Sequence, residues 1–111
     1  MQTVDLSDVE TMPNMHDVDA RKLHDTEEVQ VVHIELAPGE ALKTHVTPVD
    51  VFFYGLEGHG VVEIGEEQQP IARDTLVYSP ANVRHRLMNE SDAPFRFLVV
   101  KTPRPERRTK S

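Results

Sequence analysis

Apolar and polar positions along this chain alternate over short stretches that are punctuated by glycine and proline. From Val29 to Leu36 the pattern is plainest: Val32, Ile34 and Leu36 share one face, and Val31, His33 and Glu35 share the other. The even face is expected in the core, with His33 and Glu35 at the surface or an interface. Ala20–His24 reads as an earlier strand and Ala41–His45 as a later one. Val49–Leu56 (VDVFFYGL) is almost wholly apolar, so a central strand covered on both faces is predicted there. Val61, Val62 and Ile64 continue the series, with a hairpin turn at Gly65-Glu66-Glu67 leading to Ile71. Phe95–Val100 closes it, and Pro103 and Pro105 bar further pairing.

Turn chemistry separates these segments. Pro38-Gly39 ends the second, Glu57-Gly58-His59-Gly60 ends the fourth with His59 exposed, and Glu90–Pro94 precedes the last. Ser7–Glu10 resembles a capping box for one helical turn, halted by Pro13. No amphipathic helix of about ten or more residues is evident. About nine or ten evenly spaced strands imply a β-sandwich or small barrel, an all-β fold.

The stretch Asp74–Asn89 (DTLVYSPANVRHRLMN) organises the rest. After the break at Pro80, side chains two apart share a face, so His85 and Leu87 point inward while Arg84 and Arg86 face solvent. A single inward histidine is most often a satisfied core residue. Upstream His45, in a segment of the same architecture, gives it a partner.

Composition narrows the field. The 111 residues make one small domain with a single core. No apolar run approaches the ~20 residues of a membrane span, and the N-terminus lacks a signal-peptide pattern. With no cysteine there is no disulfide, thiolate ligand or thiol nucleophile, and a cytoplasmic location is expected. A formal charge of −7 argues against nucleic-acid binding, and the scarcity of aromatics argues against base stacking. Charge is uneven: residues up to Glu28 are mostly acidic, whereas Lys101, Arg104, Arg107, Arg108 and Lys110 make the end basic. The two ends are read as solvated termini or as surfaces that meet across a homodimer. The expected division is an N-terminal arm over 1–18, a barrel over 19–102 and a basic tail over 103–111.

Two segments resemble the signatures of the cupin superfamily. GEALKTHVTPVDVFFYGLEG follows the first, G-x5-H-x-H-x3-E-x6-G, with Gly39, His45 and Gly58 in place. The second, G-x5-P-x-G-x2-H-x3-N, falls on Asp74, Pro80, Asn82, His85 and Asn89 with its spacing kept. Asp74 and Asn82 replace glycines, and both residue types tolerate turn conformations. The resemblance spans about Val29 to Val100. It implies a double-stranded β-helix, the cupin jelly-roll barrel, with both signatures lining one mouth and two chains forming a dimer.

The resemblance also implies a metal held by two histidines and a glutamate of the first signature and one histidine of the second. Here Thr47 and Val51 occupy two of those positions, leaving His45 and His85. Asp50 is one residue out of register and should face away. The remaining inward set is Thr47, Val51, Phe53 and Leu87, an apolar pocket with two imidazoles and a hydroxyl. Three readings follow. In the first, the pocket between His45 and His85 binds a small organic ligand without requiring metal. In the second, His45 and His85 weakly hold divalent iron, nickel, zinc or manganese in a dioxygenase-like enzyme. In the third, one histidine moves a proton in a metal-free isomerase or epimerase. Tyr54 and Tyr78 are candidates for the acid in the third reading, although such tyrosines are more often packing residues with a hydroxyl at the rim.

Overall fold

The computed structural model describes residues 1–105. Eight strands form two antiparallel sheets. β1 (Asp19–Asp25), β2 (Gln30–Leu36), β3 (Asp50–Glu57), β6 (Leu76–Ser79) and β8 (Phe95–Thr102) make a five-stranded sheet in the order β1-β2-β8-β3-β6. β4 (His59–Ile64), β5 (Glu67–Ala72) and β7 (His85–Met88) make a three-stranded sheet in the order β5-β4-β7. No helix among the described residues is long and apolar enough to cross a membrane.

The core lies between the sheets and follows the expected alternation. Val32, Ile34 and Leu36 of β2 meet Val51 and Phe53 of β3, Phe95, Phe97 and Val99 of β8, and Val62, Ile71 and Leu87 from the smaller sheet. Each strand therefore contributes every second residue, the arrangement a two-layer β fold requires. The glycine replacements behave as turn residues: Asp74 and Asn82 both have φ of 67°. Gly58, at φ 74°, also runs against the chain after the last turn, where a Cβ would lie 2.2 Å from the Pro94 carbonyl oxygen.

Several expectations are corrected. Ala41–His45 is not a strand; it makes isolated bridges at Ala41–Met88 and His45–His85. Its Lys43 N–H is given to His16 Nδ1 and its Lys43 carbonyl faces His45 Nδ1, so the groups a ladder needs are already used. β3 is central but buried on one face only, with Phe52, Tyr54 and Leu56 half-exposed on the other. An apolar run cannot by itself distinguish the two cases. His33 is buried rather than superficial, its Nε2 lying 3.1 Å from Arg96 Nη1. The N-terminal turn is a 3-10 turn, Leu6–Asp8, capped by Asp5, whose carboxylate accepts from the backbone N–H and the hydroxyl of Ser7.

The arm and the described part of the C-terminal segment are both held to the barrel. Arg104 pairs with Asp25 at 3.4 Å within the chain, and Lys101 belongs to β8. Arg107, Arg108 and Lys110 lie outside the described residues. The acidic arm folds back on the barrel. Its path is fixed by Asn14, whose side chain bonds Met12, His16 and Val18 backbone groups, and by the left-handed turn at Asp17 (φ 56°).

Candidate functional site

The two signatures are joined by main-chain hydrogen bonds. His45 N–H donates to the His85 carbonyl at 3.2 Å, and His85 N–H donates to the His45 carbonyl at 3.0 Å. Residues paired reciprocally in this way project side chains to one face. The imidazole centroids are therefore 4.7 Å apart, edge to face. A third bond, Asn82 N–H to the Thr47 carbonyl at 2.9 Å, ties the two turns together. The rings are in contact, so a bound molecule would meet them at the mouth rather than lie between them.

His85 is almost fully buried, at 2 % exposure. Ser79 Oγ lies 2.8 Å from its Nδ1 and Thr47 Oγ1 lies 3.3 Å from its Nε2. Hydroxyls both donate and accept, so these partners can follow either tautomer of the ring. Phe53 packs edge-on against the same imidazole with centroids 5.3 Å apart. Beneath them Val51, Phe53 and Leu87, expected as pocket lining, form a packed floor at 0–1 % exposure.

A third histidine completes the cluster. His16, from the arm, sits with its ring centroid 5.0 Å from that of His45. Lys43 N–H donates to His16 Nδ1 at 2.8 Å, which leaves the ring proton on Nε2 when the ring is neutral. His45 is the opposite: its Nδ1 lies 3.2 Å from the Lys43 carbonyl and donates to it, leaving Nε2 an acceptor. Neither Nε2 has a partner among the described residues. Neither is sealed from solvent, because His33 Nδ1 is the one fully enclosed side-chain polar atom left without a partner there.

The cluster is short of protons and of negative charge. Burial first, then the positive charge of His45, Lys101 and Lys43, pushes His16 down to about 4. Burial, reinforced by His45, Lys101 and His16, pushes His85 down to about 4. His45 is lowered too, chiefly by burial; its bond to the Lys43 carbonyl acts the other way. Lys101 is lowered by burial. All three rings are therefore neutral near pH 7.

The remaining expected residues fall into place by parity. Asp50 points away, its carboxylate accepting from Tyr78 OH at 3.2 Å and Ala81 N–H at 3.0 Å. Tyr54 OH lies 3.4 Å from Asp74, and both tyrosines belong to the outer face. Arg84 is exposed, and Arg86 pairs with Glu63 at 2.8 Å. Sequence reasoning missed His16, Ser79 and Lys101. Parity could have found two of them: Ser79 follows inward Val77, and Lys101 follows Phe95, Phe97 and Val99. Nothing in the arm's pattern marks His16.

The donor set does not fit the metal site that the cupin signatures imply. Thr47 faces His85 where a second histidine would stand, and Val51 is sealed in the core. His16 carries its proton on the nitrogen that would have to bind. Among the described residues no group of three His, Asp or Glu side chains is placed to hold an ion. Two clefts lie elsewhere. One of about 470 Å³ runs between the arm and the end of β2, and one of about 170 Å³ lies beside Val62, Ile64 and Val77.

These features define a cupin barrel, and the chain belongs to that family: the cupin domain model matches residues 32–101. It is 37% identical over 78 residues to the tetracenomycin polyketide synthase protein TcmJ of Streptomyces glaucescens, covering 67% of this chain and 52% of that protein. The chain thus spans about half the length of that relative. The crystal structure of TT1209 from Thermus thermophilus matches with 34% identity and a TM-score of 0.82, over 95% of this chain and 100% of that one. The polyketide cyclase RemF of Streptomyces resistomycificus shares the fold at a TM-score of 0.82 and 20% identity, over 95% of this chain and 81% of that one.

Proposed function

We propose that this protein is a small-molecule cupin whose barrel mouth binds an organic compound bearing carbonyl or enol oxygens, of the polyketide kind. The observation that carries the reading is the complementary pair of free nitrogens, a donor at His16 Nε2 and an acceptor at His45 Nε2, held side by side above His85. A hydroxyl or enol can accept from the first and donate to the second, and a carbonyl can accept from the first alone. Neutral rings are needed for this, and the depressed basicity of His16 and His85 supports it. The polyketide class is taken from TcmJ, a polyketide synthase protein and the more similar of the two polyketide-related relatives.

This reading needs no metal, whereas the dioxygenase-like alternative lacks a fitting donor set. Titrating a hydroxyaryl ketone, acetylnaphthol, while following the histidine ring resonances tests it. The His16, His45 and His85 signals are expected to move together on binding, and His45→Ala should weaken the affinity about tenfold. Ring signals that stay still while acetylnaphthol binds, or an affinity untouched by His45→Ala, would remove the mouth as the site.

A further inference from the structure

Lys101 stands where a small-barrel core would ordinarily place an aliphatic residue. Along β8 the buried side chains are Phe95, Phe97 and Val99, and Lys101 continues that parity. Its backbone lies opposite Val51 of β3 and Gln30 of β2. The aliphatic stem is thus directed to the interior, and the ammonium acts on all three imidazoles of the mouth. Among the described residues no carboxylate forms an ion pair with His16, His45, His85 or Lys101, and Lys101 has no hydrogen bond there. Asp50, the acid adjacent in sequence to the site, is turned outward and held by Tyr78 and Ala81.

Lys101 is half-buried with its ammonium open to solvent at the mouth, and an inward-set cation without an acid is the kind of group found where a ligand supplies the missing charge. The surrounding polar groups are of the same character. His16 Nε2 and the Thr47 hydroxyl can donate to an oxygen, and among the described residues no carboxylate is paired with the cluster to repel a negative one. The chain as a whole carries −7, so the mouth is a local inversion of sign. Its low-dielectric walls strengthen the attraction there.

We propose that Lys101 and the histidine cluster form an anion-receiving site, which takes the negatively charged oxygen of a small organic acid or enolate while its apolar body rests at the barrel mouth. This rests on the reading of the mouth as a ligand site and adds the charge that the ligand must carry. Lys101 is the residue that discriminates charge, and the imidazoles orient the oxygen.

Calorimetric titration with naphthoate and with its neutral isostere naphthamide tests the assignment, on the full chain and on Lys101→Met. The parent protein should bind naphthoate at least about tenfold more tightly than naphthamide. Lys101→Met should bring the two within about twofold, with the loss falling mainly on naphthoate. Without ligand, Lys101→Met should melt no lower than the parent, because methionine keeps the stem and the ammonium it removes has no partner among the described residues. Equal affinity for the two probes in the parent would overturn the anion assignment and leave the mouth as a neutral site. If neither probe binds, the mouth itself falls and the assignment with it. A lower melting temperature in Lys101→Met would show that the ammonium has a structural partner, and would also overturn it.

Discussion

His85 and Asn89 come from one signature, four positions apart, and are equally hidden, at 2 % and 1 % exposure. They sit at opposite ends of the barrel and do opposite things. Asn89 is saturated: its amide donates to the Leu36 and Ala93 carbonyls at 2.9 and 2.8 Å, and its oxygen accepts from the Ser91 N–H and hydroxyl. Every partner but one is backbone, so the closed end is locked. His85 is held by two hydroxyls that can turn, among neighbours that share its reluctance to take a proton. Burial alone does not separate a structural polar residue from a functional one. What separates them is whether the partners leave any capacity to spare.

That contrast can be broken at either end. The largest expected effect is at the closed end. Asn89→Ala strands the buried Leu36 carbonyl and releases the turn at Ser91 and Ala93, and should cost about 2 kcal/mol in denaturant unfolding, without altering the ring signals of the folded fraction. The second is a pH effect at the open end. The folded values of His16 and His85, about 4, lie below the ordinary 6.5, so the unfolded chain binds more protons between them. The stability these rings contribute is fully present above about 6.5 and is lost as pH falls towards about 4. Urea midpoints taken across that window should fall with acidification, and less steeply in His85→Gln. The smallest effect is His16→Ala, which frees an exposed Lys43 amide to water and should cost under about 1 kcal/mol. It should raise the proton-uptake midpoint of His85, read by NMR titration, because burial and a neighbouring positive charge are both relieved.

The closed end and most of the strands were legible because they depend on local rules. Alternation placed Val32, Ile34 and Leu36, and motif spacing found the left-handed Asp74 and Asn82. His45 and His85 were legible as a pair for the same reason. His16 was not, since an irregular arm has no period and its position is set by Asn14 and Asp17. His33 misled in a different way. Its parity is outward, yet it is flanked in register by Arg21 and Leu98, and Arg96 reaches its ring. Long side chains lying across a sheet can bury a residue that alternation leaves in solvent.

The arm's delivery of His16 has a practical corollary. A shortened version beginning at the first strand would keep all eight strands while losing the Met12 and Val18 packing against the core. It would also present two rings in place of three, so ligand screens run on trimmed and untrimmed versions would be screening different receptors.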